Sequence, residues 1–374
     1  MTSIGGAEMV DWNLAVATAT RLVRPGPEVS RDEARAVVAE LRRHAKASEQ
    51  HVRGFTRMGT DDIHDTPILV VDRPGWVRAN VAGFREVLKP LLDKMQERRG
   101  NTPGGAVFGA VGGKVTGVEL GMLLSFLSSR VLGQYETFAP ASRELPAGAK
   151  GGRLLLVAPN IVHVERELDV QPHDFRLWVC LHEETHRTQF TAVPWLRDHL
   201  EGEIQSFLGE TEVDPMTVLE RIREAAQSLA GGRPEGEEDD DEGRSLVEIV
   251  QTPAQREILS RLTAVMSLLE GHADFVMDGV GPDVVPSVAE IREKFQQRRA
   301  KGASRLDSAL RKLLGLDAKL RQYRDGERFV RAVVEQVGMD GFNRVWTSPN
   351  TLPTKTEIAK PADWVARVHR KAES

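Results

Sequence analysis

The chain has 374 residues, a length that fits one large domain or two ordinary ones. Apolar residues make up 40% of it and charged residues 28%, which is the balance of an ordinary globular protein. Its single cysteine, Cys180, excludes an intrachain disulfide framework and any zinc site built from several thiolates. Cysteine usage therefore favours a reducing, cytoplasmic location.

The formal net charge of −5 is unevenly distributed, because seven acidic residues lie within 235–242. Without them the chain is almost neutral, so we expect no nucleic-acid partner. The surrounding stretch 231–243, which is rich in glycine and acidic residues, cannot build a core and is predicted to be a surface loop.

The N-terminus lacks the basic leader and apolar run of a signal peptide. Segment 105–128 is long enough to span a bilayer, but it contains Lys114 and Glu119, which are costly at that depth. We therefore expect no stable membrane insertion. On a helix, a glycine at every fourth position makes a ridge without Cβ atoms, which predicts close packing against another helix. Such glycines are Gly105, Gly109, Gly113, Gly117 and Gly121.

Helical patterns dominate the chain, and two short apolar runs are typical of strands. In chain order, the helical patterns cover residues 30–58, 76–99, 105–135, 161–168, 175–190, 198–229, 253–278 and 287–337. The strand-like runs are 67–71 and 153–158. Predicted N-terminal caps are Ser30, Asn160, Asp174 and, with Glu357 as its capping-box partner, Thr354; Gly338 is a predicted C-terminal stop.

The sequence His182-Glu183-Glu184-Thr185-His186 is an HExxH motif inside a predicted helix. Histidines at positions i and i+4 project from one helical face, so both imidazoles can bind one metal ion. Glu183 follows the first histidine, where it can take a proton from water at the metal. The motif predicts a catalytic zinc site with Glu183 as general base.

A catalytic zinc usually has a third protein ligand. The extended motif HExxHxxGxxH is excluded, because Gln189 and Ala192 stand where it needs glycine and histidine. Downstream, a second predicted helix offers Glu270 or His272, which are separated by about 200° of rotation and are not expected to bind the same ion. Glu270 is favoured, because Asp274 shares its face and can hydrogen-bond a histidine ring from behind the ligands.

Other polar residues near the motif have weaker assignments. Glu184 should point away from the metal and be either solvated or salt-bridged, with Arg187 or Thr188 nearby, and Cys180 should face the core. The donor that stabilises a developing oxyanion stays open. Residues able to donate there are Tyr135, His173, Arg187 and His272.

If His186 and Glu270 bind one metal, the chain between them belongs to one folded unit. The acidic stretch 231–243 is then an insertion rather than a linker. The predicted organisation is an N-terminal helical segment (1–64) followed by one metallohydrolase domain (65–370) that carries this insertion.

Several longer strings resemble a bacterial zincin-like family of unknown function, whose members are labelled hydrolases or zinc-dependent metalloproteases. They are VVDRPGWVRANVAGF (70–84), LSSRVLGQYE (127–136), LLLVAPNIVHVEREL (154–168), FRLWVCLHEETHRTQFTAVPWLRDHL (175–200) and LLEGHADFVMDGV (268–280). The resemblance implies a mainly α, zincin-like helical metalloprotease fold with a small β element. It also implies His182, His186 and Glu270 as ligands and Glu183 as base. One branch of the family is labelled as associated with biosynthesis of the deazaflavin coenzyme.

We therefore expect a zinc-dependent hydrolase, specifically a peptidase acting on a peptide or protein substrate. The alternative is a non-proteolytic metal-binding accessory protein linked to deazaflavin coenzyme metabolism, since a fold does not determine a function. The intact base Glu183 favours the enzyme, because a structural metal site has no need of it.

Overall fold

The structure is a computed structural model that describes residues 9–59, 66–99, 105–139, 152–209, 253–301 and 316–370. Their helices and strands, in chain order, are α1 (Trp12–Leu22), α2 (Arg31–Thr56), β1 (Ile68–Val71), α3 (Arg73–Arg99), α4 (Gly105–Ser128), β2 (Gly133–Glu136), β3 (Arg153–Val157), α5 (Ala158–Leu168), α6 (Pro172–Ala192), α7 (Pro194–Gly209), α8 (Pro253–Gly279), α9 (Val288–Lys301), α10 (Leu316–Phe342), α11 (Lys355–Ala359) and α12 (Pro361–Arg370). Two 3-10 turns, Asn343–Trp346 and Pro349–Thr351, precede α11. The mainly α fold with a small β element is confirmed.

By their contacts, the described residues fall into two compact units. The first contains the described parts of 1–40 and 65–167, and the second those of 41–64, 168–211 and 228–374. The predicted organisation into segments 1–64 and 65–370 stays a prediction. The acidic stretch 231–243 lies outside the described residues, as do residues 210–229 of the helical pattern over 198–229 and residues 302–315 of the pattern over 287–337.

The first unit contains a three-stranded sheet in the order β1-β3-β2. β3 pairs in parallel with β1, with Ile68 opposite Leu154, and antiparallel with β2, with Gly133 opposite Leu156. The central strand is buried from Leu154 onward, as its unbroken apolar sequence predicts. The two predicted strands are confirmed, and β2 is an addition to them.

The glycine ridge of α4 packs against α1 in the first unit. A Cβ on Gly117 would lie 2.6 Å from the carbonyl oxygen of Asp11, and one on Gly121 would lie 2.7 Å from that of Ala15. These distances are too short for any side chain, so the predicted close helix packing is confirmed at both glycines. Among the described residues, no helix has both the length and the apolar character needed to cross a bilayer.

Three local predictions in the first unit have outcomes. Ser30 caps α2, accepting a hydrogen bond from the backbone N–H of Glu33. The helical pattern over 105–135 was extended too far: α4 ends at Ser128, because residues 133–136 form backbone hydrogen bonds with β3 instead. Asn160 does not cap a helix, since α5 begins before it at Ala158.

The buried Asn160 amide instead joins three parts of the first unit. Its Oδ1 accepts a hydrogen bond of 2.6 Å from Arg73 Nε, and its Nδ2 donates to the carbonyl oxygens of Ser128 and Val131 at 2.7 Å. Asn160 therefore stabilises the end of α4 rather than the start of α5.

The second unit places α8 between α6 and α10. α8 and α10 approach closely at Gly271 and Gly326: a Cβ on Gly271 would overlap the backbone of Gly326, and one on Gly326 would overlap the carbonyl oxygen of Ser267. Only glycine permits this crossing, which lies one residue beyond Glu270.

Asp174 is not the cap of α6, which begins at Pro172 with Gln171 before it. Proline is favoured at a first helical position, because its missing N–H has no intrahelical partner there. Asp174 instead accepts hydrogen bonds from the backbone N–H (2.9 Å) and hydroxyl (2.7 Å) of Ser287, just before α9.

Two C-terminal predictions are confirmed. Gly338 has a non-helical backbone (φ 72°) and interrupts α10. Thr354 and Glu357 form the reciprocal capping box at the start of α11.

Candidate metal centre

His182 and His186 project from the same face of α6, as their spacing predicts. Their Nε2 atoms lie 3.2 Å apart, and the two rings are nearly perpendicular, at 89°. The preceding turn is buried through Phe175, Trp178 and Leu181, which holds this part of the helix in the core. The two side chains are 20% and 13% exposed, so both are mostly buried but still reach solvent.

Glu270 of α8 brings its carboxylate to the two histidines. Its Oε2 lies 3.7 Å from His182 Nε2, and its Oε1 lies 3.6 Å from His186 Nε2. Asp274, one turn further along α8, has Oδ1 3.9 Å from His182 Nδ1. The structure therefore brings together the three predicted ligands, His182, His186 and Glu270, with Asp274 beside His182.

The donor set fits a zinc ion in both chemistry and dimensions. Zinc takes two imidazole nitrogens and a carboxylate oxygen at about 2.0–2.1 Å, and such ligand atoms around a tetrahedral ion lie roughly 3.3 Å apart. The three separations here are 3.2, 3.6 and 3.7 Å. His182, His186 and Glu270 would thus hold the ion and leave a fourth position for water.

His272, the other candidate for the third ligand, lies away from this cluster. It is fully buried, with its ring 5.3 Å from that of Phe342 and 5.5 Å from that of Trp346. Its Nδ1 lies 3.1 Å from Nε2 of Gln189. Burial lowers the pKa of His272 to about 3, with a smaller effect from the neighbouring His186, so it is a neutral core residue.

Glu183 lies beside the first histidine and is 6% exposed. Burial raises the pKa of its carboxyl group well above the usual range, and the negative charge of Glu270 raises it further. A carboxyl group with a perturbed pKa beside candidate metal ligands is a candidate for acid–base chemistry.

Glu184 points away from the cluster, in agreement with its position on the helix. Both of its oxygens accept hydrogen bonds from Arg187 Nε, at 3.0 and 2.8 Å, and Arg187 also pairs with Glu49 of α2 at 2.9 Å. Burial raises the pKa of Glu184 to about 7, even though Arg187 acts to lower it. The Arg187–Glu49 contact joins α6 to α2, and the buried Glu184 is salt-bridged rather than solvated.

The remaining candidates from the sequence have other contacts. Cys180 is fully buried, as predicted, with Sγ 3.8 Å from the carbonyl oxygen of Leu41. The His173 ring stacks edge-on against that of His44 at 4.6 Å. Tyr135 lies in β2 of the first unit, opposite Leu154. The oxyanion donor therefore remains unassigned.

Gln189 contacts a candidate ligand that sequence reasoning did not connect it with, since the sequence marked it only as a departure from the longer motif. It is fully buried, and its Oε1 lies 3.0 Å from Nδ1 of His186. The sequence does carry one signal for this contact: Gln189 is a polar residue three positions after His186, which places it on the face of α6 that carries the candidate ligands.

Two comparisons with known proteins bear on this site. Residues 10–365 match the model of a family described as zincin-like metallopeptidase. A crystal structure from Chloroflexus aurantiacus, described as a "putative hydrolase with a novel fold", is similar to this chain with a TM-score of 0.67 and 30% identity, covering 96% of this chain and 99% of that one. No curated protein matches the sequence. Neither match concerns the deazaflavin coenzyme, and that association stays a prediction.

Proposed function

We propose that this chain, which belongs to the zincin-like metallopeptidase family, is a zinc-dependent peptidase with Glu183 as its general base. The observation that carries the proposal is the His182–His186–Glu270 cluster, whose ligand atoms all lie within 4.8 Å of one another. A buried carboxylate adjoins this cluster.

The ligand set favours catalysis over a purely structural role for the metal. Structural zinc sites use four protein ligands, whereas catalytic sites use three and leave one position open. Bound zinc supplies positive charge that acidifies water and polarises a substrate carbonyl. His182, His186 and Glu270, whose side chains are partly exposed, would hold the zinc ion.

Glu183 takes the proton from the attacking water as it adds to the peptide carbonyl. The same carboxylic acid then delivers the proton to the departing amine, so the residue ends the cycle as it began. The Asp274 carboxylate lies 3.9 Å from Nδ1 of His182, beyond hydrogen-bonding distance, and its negative charge favours the tautomer in which Nδ1 carries the proton and Nε2 is available. The substrate is a peptide or protein.

Glu183→Gln tests this assignment. The variant should keep one zinc per chain by elemental analysis, because Glu183 is not a ligand. Its cleavage of a labelled peptide library should fall by about 10²–10⁴-fold, which is the usual contribution of a general base. The exposed Glu335→Gln on α10 is the matched control and should retain full activity.

Two results would contradict the proposal. A wild-type protein that binds no stoichiometric zinc would remove the metal centre altogether. A zinc-loaded wild-type protein that cleaves no peptide would instead favour the non-proteolytic metal-binding alternative. Glu270→Ala distinguishes the candidate third ligands, because it should weaken zinc binding much more than His272→Ala does.

A further inference from the structure

The side chain of Gln189 makes three hydrogen bonds at the centre of the second unit. Its Oε1 faces His186 Nδ1 at 3.0 Å. Its Nε2 faces the carbonyl oxygen of Leu269 at 2.9 Å and Nδ1 of His272 at 3.1 Å. With one acceptor and two donors in use in a fully buried position, the amide is held in one orientation.

The Leu269 carbonyl determines which end of the amide points where. A backbone carbonyl oxygen can only accept a hydrogen bond, so the amide group facing it has to be the NH₂. The oxygen of Gln189 must then face His186.

The orientation of the amide in turn fixes the tautomer of His186. An amide oxygen cannot donate, so Nδ1 of His186 has to carry the ring proton. The lone pair of the neutral ring is then on Nε2, the atom that lies 3.6 Å from Glu270 and 3.2 Å from the facing His182 nitrogen. His186 is thus set in its metal-binding form by a neighbour that never touches the metal.

His272 completes the arrangement from the other side. Its Nδ1 accepts the second amide hydrogen, which places the ring proton on Nε2, a buried atom without a hydrogen-bond partner among the described residues. Packing against Phe342 and Trp346 holds the ring in place. Gln189 is therefore fixed by a backbone carbonyl and by a ring that cannot rotate freely, and water does not reach it to compete for these hydrogen bonds.

We propose that Gln189 is a positioning residue that sets the tautomer of His186 and joins the two helices carrying the metal ligands. Leu269 immediately precedes Glu270, so the amide that orients one ligand also anchors the main chain beside another. This inference rests on the proposed zinc site. It adds that Gln189, held in place by His272, orients the ligand His186.

The first test measures the tautomer directly in the metal-free wild-type protein. Nitrogen-15 NMR of labelled histidine separates the two neutral tautomers, and the His186 signal is identified by its loss in His186→Gln. We expect a predominantly Nδ1-protonated ring at a pH where it is neutral. A predominantly Nε2-protonated ring, which is the form favoured by free imidazole side chains, would overturn the inference without any substitution at Gln189.

The second test removes the hydrogen bonds while keeping the volume. Gln189→Met should weaken zinc binding by about 10–100-fold, which is typical for partners of metal ligands, and should convert the His186 ring to a mixture of tautomers. Thr185→Val is the matched control, because Thr185 is equally buried on α6 but donates only to the Leu181 carbonyl within its own helix. An unchanged zinc dissociation constant and tautomer in Gln189→Met would refute the role.

Failure of this inference can be distinguished from failure of the proposed function. If wild-type protein binds no zinc, the metal centre is wrong, while the tautomer measured without metal still reports on Gln189. If zinc binds and peptides are cleaved but Gln189→Met equals Thr185→Val in both readouts, only the positioning role is wrong.

Discussion

The crossing of α8 and α10 makes Gly271 a sensitive point for both the fold and the metal centre. A Cβ there would overlap the carbonyl carbon of Gly326 and the backbone nitrogen of Glu327. These are main-chain atoms inside a helix, so they cannot move aside as a flexible side chain can. Gly271→Ala should therefore push the two helices apart.

The expected magnitude is the difference between two opposing effects. Replacing glycine by alanine inside a helix stabilises it by about 1 kcal/mol. Overpacking a close contact typically costs about 1–3 kcal/mol and occasionally more, and the overlap with rigid backbone puts Gly271 at the upper end. We expect a net loss of about 2 kcal/mol in the free energy of unfolding.

Gly202→Ala in α7 is the matched control, because a Cβ at that helical glycine meets nothing within 4 Å. It should gain about 0.5–1 kcal/mol from helix propensity alone. Urea unfolding of both metal-free variants measures the contrast. Zinc titration should also show weaker binding in Gly271→Ala, since Glu270 is the preceding residue. If Gly271→Ala is as stable as Gly202→Ala, the close crossing is refuted.

Two further predictions concern buried charges in the second unit. Arg187→Met should lower the free energy of unfolding by about 3–5 kcal/mol, because it leaves the buried Glu184 carboxylate without its arginine partner. The control Arg261→Met breaks a more exposed ion pair and should cost at most about 1 kcal/mol. Equal losses for the two variants in chemical denaturation would contradict this prediction. Burial raises the pKa of Asp278 to about 6, although Arg292 acts to lower it. The folded state therefore binds this proton more tightly than the unfolded chain, so the contribution to stability is greatest below about pH 4 and declines as the pH rises through 6. Between pH 4 and pH 8, the Asp278 carboxyl group should lower the free energy of unfolding of the wild-type protein by about 2 kcal/mol, and Asp278→Asn should lack this decline. The measurement is the difference in unfolding free energy between wild type and variant at each pH. A difference that grows in favour of the wild type as the pH rises would refute the prediction.

The parts of the fold that could be predicted are those whose pattern is local and long. The helical pattern over 253–278 corresponds closely to α8, because apolar residues recur along its whole length. α1 and β2 were not predicted, because each depends on a distant partner. β2 has only four residues and is defined by its pairing with β3, while α1 packs against glycines of α4 far along the chain. A short segment carries too little periodicity to reveal such a partner.

The candidate site divides in the same way. The relation of His182 to His186 follows from the geometry of one helix. On the other helix, the rotation between Glu270 and His272 shows that only one of them can join the site, and Asp274 on the Glu270 face favours Glu270. The role of Gln189 has no local signature, because its two donors are used by residues 80 and 83 positions away. Yet its chemistry limits the possibilities: a buried amide on the ligand face of α6 requires an acceptor for each N–H. The structure supplies both acceptors from the facing helix α8, as Nδ1 of His272 and the carbonyl oxygen of Leu269, whose second lone pair can accept although the group lies inside a helix. The sequence of α6 alone does not reveal which helix faces Gln189, so this role depends on tertiary packing.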